Sequence, residues 1–226
     1  MRIGILGAGR VGEALGRLWC ACAAGHQVRF GARRPGGPAR LAESIGANAS
    51  VGTLAEVAEF GEVVLLAVPL KAVPEIGRLL APRLKDKIVL DASNPNLERD
   101  GESAREASEL GLGSSAWTAS KLPGARVVKA FNMQDADLLG SEAHRAGDPL
   151  AIAVAGDDFG AISVAKQLAR DAGFEAVIVG SLEEGRAFEP GTRHYAQGIR
   201  AADLRQDLGA SQATLRALTL LTATGG

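Results

Sequence analysis

The sequence predicts an α/β fold, a doubly wound and mostly parallel sheet with a small helical and irregular C-terminal extension. Three observations carry that expectation. Short apolar runs alternate with amphipathic helical patterns as far as about residue 180 of the 226-residue chain. Some of these runs, such as Val63-Val64-Leu65-Leu66, are apolar on both faces, as a central parallel strand must be. The first 19 residues also place a strand, a glycine turn and a helix in direct succession.

In that first unit, Ile3 to Leu6 leads into Gly7-Ala8-Gly9-Arg10-Val11-Gly12, and a helix follows with Val11, Leu15, Leu18 and Trp19 at steps of three and four. A Gly-x-Gly-x-x-Gly match carries meaning only in this strand–turn–helix context. Gly7 permits the tight turn, Gly9 lets a pyrophosphate approach the backbone, and Gly12 lets the helix pack on the strand. Free N–H groups at the helix start, together with its dipole, then hold phosphate charge. The unit therefore reads as a Rossmann-type dinucleotide site built on Gly7 to Gly12.

The second strand, Gln27 to Phe30, ends in Gly31-Ala32-Arg33-Arg34-Pro35. A site for NAD usually places an acid here to bond the ribose 2′-hydroxyl. This chain has Arg33 and Arg34 instead, and guanidinium groups pair with a 2′-phosphate. The expected cofactor is NADP(H).

The remaining elements follow in order. Pro38 to Ile45 reads as helix, and Ala49 to Val51 as a short strand. Thr53 caps the helix Leu54–Glu59, with Glu56 completing a capping box. Pro69 stops the strand that begins at Glu62, so Ala67, Val68 and Pro69 are expected to face the nicotinamide side of the crevice. Lys71 to Leu80 reads as helix. The strand Lys87–Leu90 runs into Asp91-Ala92-Ser93-Asn94-Pro95-Asn96, a polar strand end suited to cofactor or substrate contacts. Residues 97–113 are charged and read as a solvated excursion with some helix, a candidate lid. Ser114–Leu122 reads as helix and Ala125–Met133 as strand. Lys129 within that strand is costly unless its amine reaches a partner. Residues 134–148 read as an insertion with His144 exposed. Then come the strand Leu150–Ala155, the helix Phe159–Ala172 capped by Asp157 or Asp158, and the strand Glu175–Val179. The expected organisation is a dinucleotide-binding domain over 1–180 and an extension over 181–226 that caps the cleft or packs on a second subunit of a homodimer. Helical pieces are expected near 201–208 and 213–222.

Composition excludes several classes. With a net charge of −1 and 4% aromatics, neither a nucleic-acid footprint nor a membrane-attracting surface is expected. No apolar run reaches spanning length, and no secretory leader is recognisable, so a cytoplasmic location is expected. Cys20 and Cys22 point to different sides of one helix and read as ordinary helix residues. His26 reads as a turn residue.

Five ordered stretches together carry a resemblance: Gly7 to Gly12, Gly31-Ala32-Arg33-Arg34, Asp91-Ala92-Ser93-Asn94-Pro95, Val127-Val128-Lys129-Ala130-Phe131-Asn132 and Ala155-Gly156-Asp157-Asp158. They resemble the coenzyme F420-dependent NADP oxidoreductase family, a pattern shared with the NADPH domains of six-transmembrane ferric reductases. The resemblance implies hydride transfer between NADP(H) and a flavin-like acceptor, with coenzyme F420, FMN or FAD as candidates. It assigns Gly7, Ala8, Gly9, Arg10, Val11 and Gly12 to the pyrophosphate, and Ala32, Arg33 and Arg34 to the 2′-phosphate. Ala67, Val68 and Pro69 fall to the nicotinamide side, Ser93, Asn94, Pro95 and Ala130 join the cofactor-binding set, and Asn94, Pro95, Ala130 and Asn132 match the loops beside the acceptor. Family members often have Ser at position 32 and Thr at position 133, where this chain has Ala32 and Met133.

Hydride transfer between two rings needs proximity more than acid–base help. That suits a sequence with three scattered histidines and no Ser-His-Asp order or metal cluster. Asn94 and Asn132 are the candidate catalytic residues, orienting the nicotinamide amide or the acceptor. Two other readings stay open. One is a small-molecule NADP(H) dehydrogenase using Lys71, Lys121 or Lys129 as proton donor. The other is a non-catalytic NADP(H)-sensing module.

Overall fold

The computed structural model describes residues 1–31 and 36–208. Eight strands form one sheet: β1 (Arg2–Leu6), β2 (Gln27–Gly31), β3 (Ala49–Gly52), β4 (Val63–Leu66), β5 (Ile88–Asp91), β6 (Arg126–Lys129), β7 (Ala151–Gly156) and β8 (Glu175–Gly180). Their spatial order is β3-β2-β1-β4-β5-β6-β7-β8. Every neighbouring pair is parallel except β6 and β7, which pair antiparallel through Val128–Gly156 and Lys129–Ala155. The predicted doubly wound, mostly parallel fold is thus observed. The order reverses at β1, so a crevice opens at the carboxyl ends of β1, β2 and β4.

Alternation along the strands sorts side chains to two layers. Ile3, Ile5, Val63, Leu65, Leu90 and Val128 face one core. There they meet α1 (Arg10–Ala21), α2 (Gly36–Ile45), α8 (Ala136–Ser141) and α9 (Phe159–Asp171). Leu6, Val64, Leu66, Val89 and Val127 face the other. That layer holds α3 (Leu54–Phe60), α4 (Val73–Leu84), α6 (Glu102–Glu109) and α7 (Ser114–Lys121). A third cluster joins β7 and β8 to Met133, Phe188 and the helical stretch 201–208. Helix α1 lies close enough to β2 that a Cβ on Gly16 would stand 2.3 Å from the Phe30 ring. Trp19 packs edge-on against Phe131 at 5.6 Å and donates its Nε1 hydrogen to the Leu168 carbonyl at 2.9 Å.

Several elements differ from expectation for identifiable reasons. Sequence pattern extends the sixth strand to Met133, but β6 stops at Lys129, because Phe131 takes φ +64° and turns the chain away from the ladder. Residues 97–113 are more than a solvated excursion. They form α5 (Leu97–Asp100) and α6, and bury Asp100, Ala104 and Ala107. Helix α4 begins at Val73 after a 3₁₀ turn over Leu70–Ala72 and continues past Pro82, so that Leu84 is fully buried. His26 is a buried residue whose Nε2 lies 2.9 Å from Asp171 Oδ2. The expected capping box at Thr53 is present, and Asp158 caps α9. The helical piece expected over 213–222 lies outside the described residues.

The Gly16 contact yields a stability prediction. Gly16→Ala should destabilise the fold by about 1–3 kcal/mol, because the added methyl must displace the Phe30 ring in a packed core. Denaturant unfolding measures this, and an unchanged midpoint would contradict the close approach of α1 to β2.

Candidate cofactor and acceptor site

The crevice begins at the Gly turn. Gly7 has φ +109°, and a Cβ there would lie 2.2 Å from the Ala67 carbonyl oxygen. A Cβ on Gly12 would lie 2.1 Å from the Gly7 carbonyl oxygen. Both positions therefore exclude any side chain. Gly9 differs, since a Cβ there meets nothing among the described residues within 4 Å. Its lack of a side chain is not a packing requirement of the protein and leaves room above the backbone. Gly9 is also the N-cap of the 12-residue α1, and no side chain caps that helix. Uncapped N–H groups with open space above them suit a pyrophosphate. Ala8 and Val11 are half-buried beside the turn. Arg10 is exposed and pairs with Asp137 of α8, which holds the guanidinium above and the carboxyl below their ordinary ranges.

A cavity of about 230 Å³ opens from this turn. Gly7, Gly9 and Gly31 line its floor, and Leu54, Ile76 and Leu79 line its apolar walls. Ala67, Val68 and Pro69, which follow β4, line it too, across β1 from Gly31 at the end of β2. Ala32, Arg33 and Arg34 lie outside the described residues. They follow Gly31 directly in sequence.

Asn94 and Asn132 lie outside that cavity, beyond β5 and β6, where they form a reciprocal pair. Asn94 Nδ2 donates to the Asn132 carbonyl at 2.8 Å, and Asn132 Nδ2 donates to Asn94 Oδ1 at 2.9 Å. Asn132 Nδ2 also donates to the Phe188 carbonyl at 3.2 Å. Asn132 is 3% exposed, whereas Asn94 is half-buried, so Asn94 is the nearer to the surface. Both Nδ2 hydrogens of Asn132 are used, which fixes its amide orientation and leaves Oδ1 buried without a partner among the described residues. Such an orphan costs about 1–3 kcal/mol. The left-handed Phe131 next to it adds strain of about 1–3 kcal/mol. Costs of this kind cluster at functional positions.

The strand ends around this pair are held by groups that sequence spacing did not reveal. Arg99 Nη2 donates to the Asn94 carbonyl at 2.9 Å and pairs with buried Asp100 at 2.7 Å. Burial opposes the charge on Asp100, but Arg99 and the backbone N–H groups of Lys71 and Asn96 prevail and hold its carboxyl low. Ser93 turns inward, its hydroxyl donating to Asp91 Oδ1 at 2.6 Å. Ala130 is fully buried, and Pro95 borders a separate depression with Arg186 and Glu189. Tyr195, the single tyrosine, is half-buried beside Asn94. Burial and Asp135 push its hydroxyl up, against the effect of Asn94. Of the other lysines considered as donors, Lys71 is exposed and Lys121 pairs with Glu106 at 3.2 Å. Among the described residues, no cluster of three His, Cys, Asp or Glu side chains could hold a metal. No described helix is long and apolar enough to cross a membrane.

With this geometry in place, comparison with known proteins decides the family. The family described as NADP oxidoreductase, coenzyme F420-dependent, matches residues 2–95, which hold the Gly turn, the cavity and the Asn94 loop. Over residues 2–95 the chain belongs to that family. Over 188 residues it is 31% identical to the metalloreductase STEAP3 of Rattus norvegicus, a match covering 83% of this chain and 36% of the rat protein. This chain thus spans about a third of the length of that relative. A hypothetical protein of Sinorhizobium meliloti superposes with TM-score 0.74 at 25% identity, covering 88% of this chain and 94% of that one. A protein described as an F420-dependent NADP reductase from Arthrobacter superposes with TM-score 0.66 at 21% identity, over 82% and 87% of the two chains. At that identity the Arthrobacter likeness speaks to fold alone. The family is one of NADP-dependent oxidoreductases.

Two predictions test the site geometry. Gly9→Ala should leave unfolding stability within about 1 kcal/mol of wild type, the usual cost of alanine at an N-cap, yet weaken NADPH at least about tenfold, since its methyl enters the open space and touches no atom of the described residues. Equal NADPH affinity in a titration would remove Gly9 from the pyrophosphate site. The second concerns Glu189, where burial alone would raise the carboxyl, but Lys129 and two bonds from Ser114 outweigh it and hold it low. Its stabilisation is full above the ordinary carboxylate value of about 4.3 and is lost as pH falls through the lower folded value. Glu189→Gln should therefore flatten the acid limb of stability below about pH 5. An unaltered limb would contradict the low folded value.

Proposed function

We propose that the chain is an NADP(H)-dependent reductase that passes hydride to a flavin- or deazaflavin-type ring, with coenzyme F420 the first candidate. NADP(H), when bound, supplies the hydride at its nicotinamide. The observation that carries the reading is the Gly7–Gly12 turn, closed by backbone contacts at Gly7 and Gly12 yet open above Gly9. The apolar cavity beside it suits the adenosine half of the cofactor. Arg33 and Arg34 follow Gly31, a cavity-lining residue, and are placed by sequence to pair with the 2′-phosphate. Asn94 stands across the strand ends at the surface of a rigid, buried polar pair, suited to orient a ring by hydrogen bonding. Asn132 acts through Asn94 as a positioning residue, being itself buried.

A dehydrogenase of hydroxy acids or imines would need a proton donor at the acceptor. Of the three lysines, one is exposed, one is paired with Glu106, and Lys129 is spent on a buried network. The ring-to-ring reading needs no such donor for the hydride itself. A cytoplasmic homodimer whose extension packs near the cleft completes the proposal.

Turnover of NADPH with coenzyme F420, FMN, FAD and ferric chelates tests the acceptor class. Reduction of a ring acceptor is expected, and tight NADPH binding with no acceptor reduced would favour a sensing module. Arg33→Asp should weaken NADPH about 100-fold or more and NADH less than about fivefold, the loss of a charge-assisted phosphate contact plus added repulsion. Equal losses would sink the 2′-phosphate assignment. Asn132→Ala should spare NADPH affinity while slowing single-turnover acceptor reduction, and an unchanged rate would remove the pair from the site.

A further inference from the structure

We propose that Lys129 and Glu189 are a positioning pair that sets the Asn94–Asn132 wall for hydride transfer. The inference rests on the reading of that wall as the acceptor side of the site. Lys129 ends β6 on the same face as Val127 and is fully buried. Gly185 makes the space for it, since a Cβ there would lie 2.6 Å from Lys129 Cδ. The Lys129 ammonium donates to Ser114 Oγ at 2.9 Å, Ser115 Oγ at 3.2 Å and the Ser93 carbonyl at 3.4 Å, and it pairs with Glu189 Oε1 at 3.1 Å.

The serines give the network a direction. Ser114 Oγ accepts from Lys129 and donates to Glu189 at 2.7 Å. Ser115 Oγ accepts from Lys129 and donates to Asp91 Oδ2 at 2.7 Å. One ammonium therefore orders two hydroxyls, which in turn satisfy two carboxylates, and the Ser114 N–H also donates to Glu189 at 2.8 Å. A buried ion pair commonly adds little stability over an apolar pair of the same volume. Its placement here points to another role. Ser93, whose carbonyl Lys129 holds, directly precedes Asn94. Glu189, which Lys129 pairs with, directly follows Phe188. Asn94 Oδ1 and the Phe188 carbonyl are the two acceptors that fix the Asn132 amide. Lys129 thus ties together the two loops whose separation determines whether Asn132 keeps both bonds. A shift of about an ångström in either loop breaks one of them, and misplacements of that size are costly for reacting geometry.

The experiment compares Lys129→Met, which keeps an unbranched side chain but no donors, with Glu189→Gln, which keeps the acceptor for Ser114. NADPH affinity is read by titration. The rate of hydride transfer to a deazaflavin is read in single turnovers at saturating NADPH. Lys129→Met should slow transfer at least about tenfold with NADPH affinity within about twofold, and Glu189→Gln should show a smaller loss in the same direction. A role confined to stability would not produce that split. Adding Asn132→Ala to either variant should cost little more than Asn132→Ala alone, because all act through one device. Should Lys129→Met not fold, the Glu189→Gln and Asn132→Ala cycle carries the test. A slow Asn132→Ala with folded Lys129→Met at the wild-type rate, or losses that multiply, would overturn the proposal. Asn132→Ala alone at the wild-type rate would instead overturn the reading of the wall.

Discussion

The structure depends on the approach of three backbone segments at the end of β1. Gly7 lies against the Ala67 carbonyl, and Gly12 lies against the Gly7 carbonyl, each too close for a side chain. These contacts bring β4 beside β1 and press the start of α1 onto the sheet. They also aim the first N–H groups of α1 at the carboxyl edge of the sheet, where the strand order reverses. The cavity exists because the turn is that tight. A looser turn would lift α1 off β2, where Gly16 and Phe30 already leave no room for a methyl group.

A second, polar constraint governs the far side of the crevice. The ends of β5 and β6 carry Asp91 and Lys129, both fully buried, and neither is placed for an apolar core. Their bonds to Ser93, Ser114, Ser115 and Glu189 draw the loop after β5, the start of α7 and the 3₁₀ turn Leu182–Phe188 to one point. Asn94 is pinned from both directions, by Lys129 through Ser93 and by Arg99 through its own carbonyl. The orphaned Asn132 Oδ1 and the left-handed Phe131 stand within this rigid frame. Stability is spent there on geometry, which suits the ring-positioning role proposed for this wall.

Much of this was legible in sequence where the signal is local. The Gly turn, the two-faced apolar strands and the capping box at Thr53 are each determined by neighbours a few residues apart, and each is found where expected. The partners of Lys129 were not legible, since Ser114 lies 15 residues away and Ser93 lies 36 away. Residues 97–113 looked solvated because their composition is charged, yet Asp100 is drawn inside by Arg99 and two backbone N–H groups. The sequence pattern overextends the sixth strand because Phe131 suits a strand by propensity, while in the structure Phe131 packs on Trp19 with a left-handed backbone that turns the chain. Asn132 read as a contact residue because its type and position suit one, and only its burial shows it standing behind Asn94.

The proposed step is direct hydride transfer from NADPH to a ring acceptor held against Asn94. It is tested most directly by the fate of the transferred hydrogen. NADPH deuterated at the nicotinamide C4, in each stereoisomer in turn, is incubated with enzyme and a deazaflavin, whose ring carbon retains what it receives. Direct transfer puts deuterium on that carbon from one stereoisomer, at close to one label per NADPH oxidised. Label lost to water, or NADPH oxidised without label reaching the ring, would contradict it.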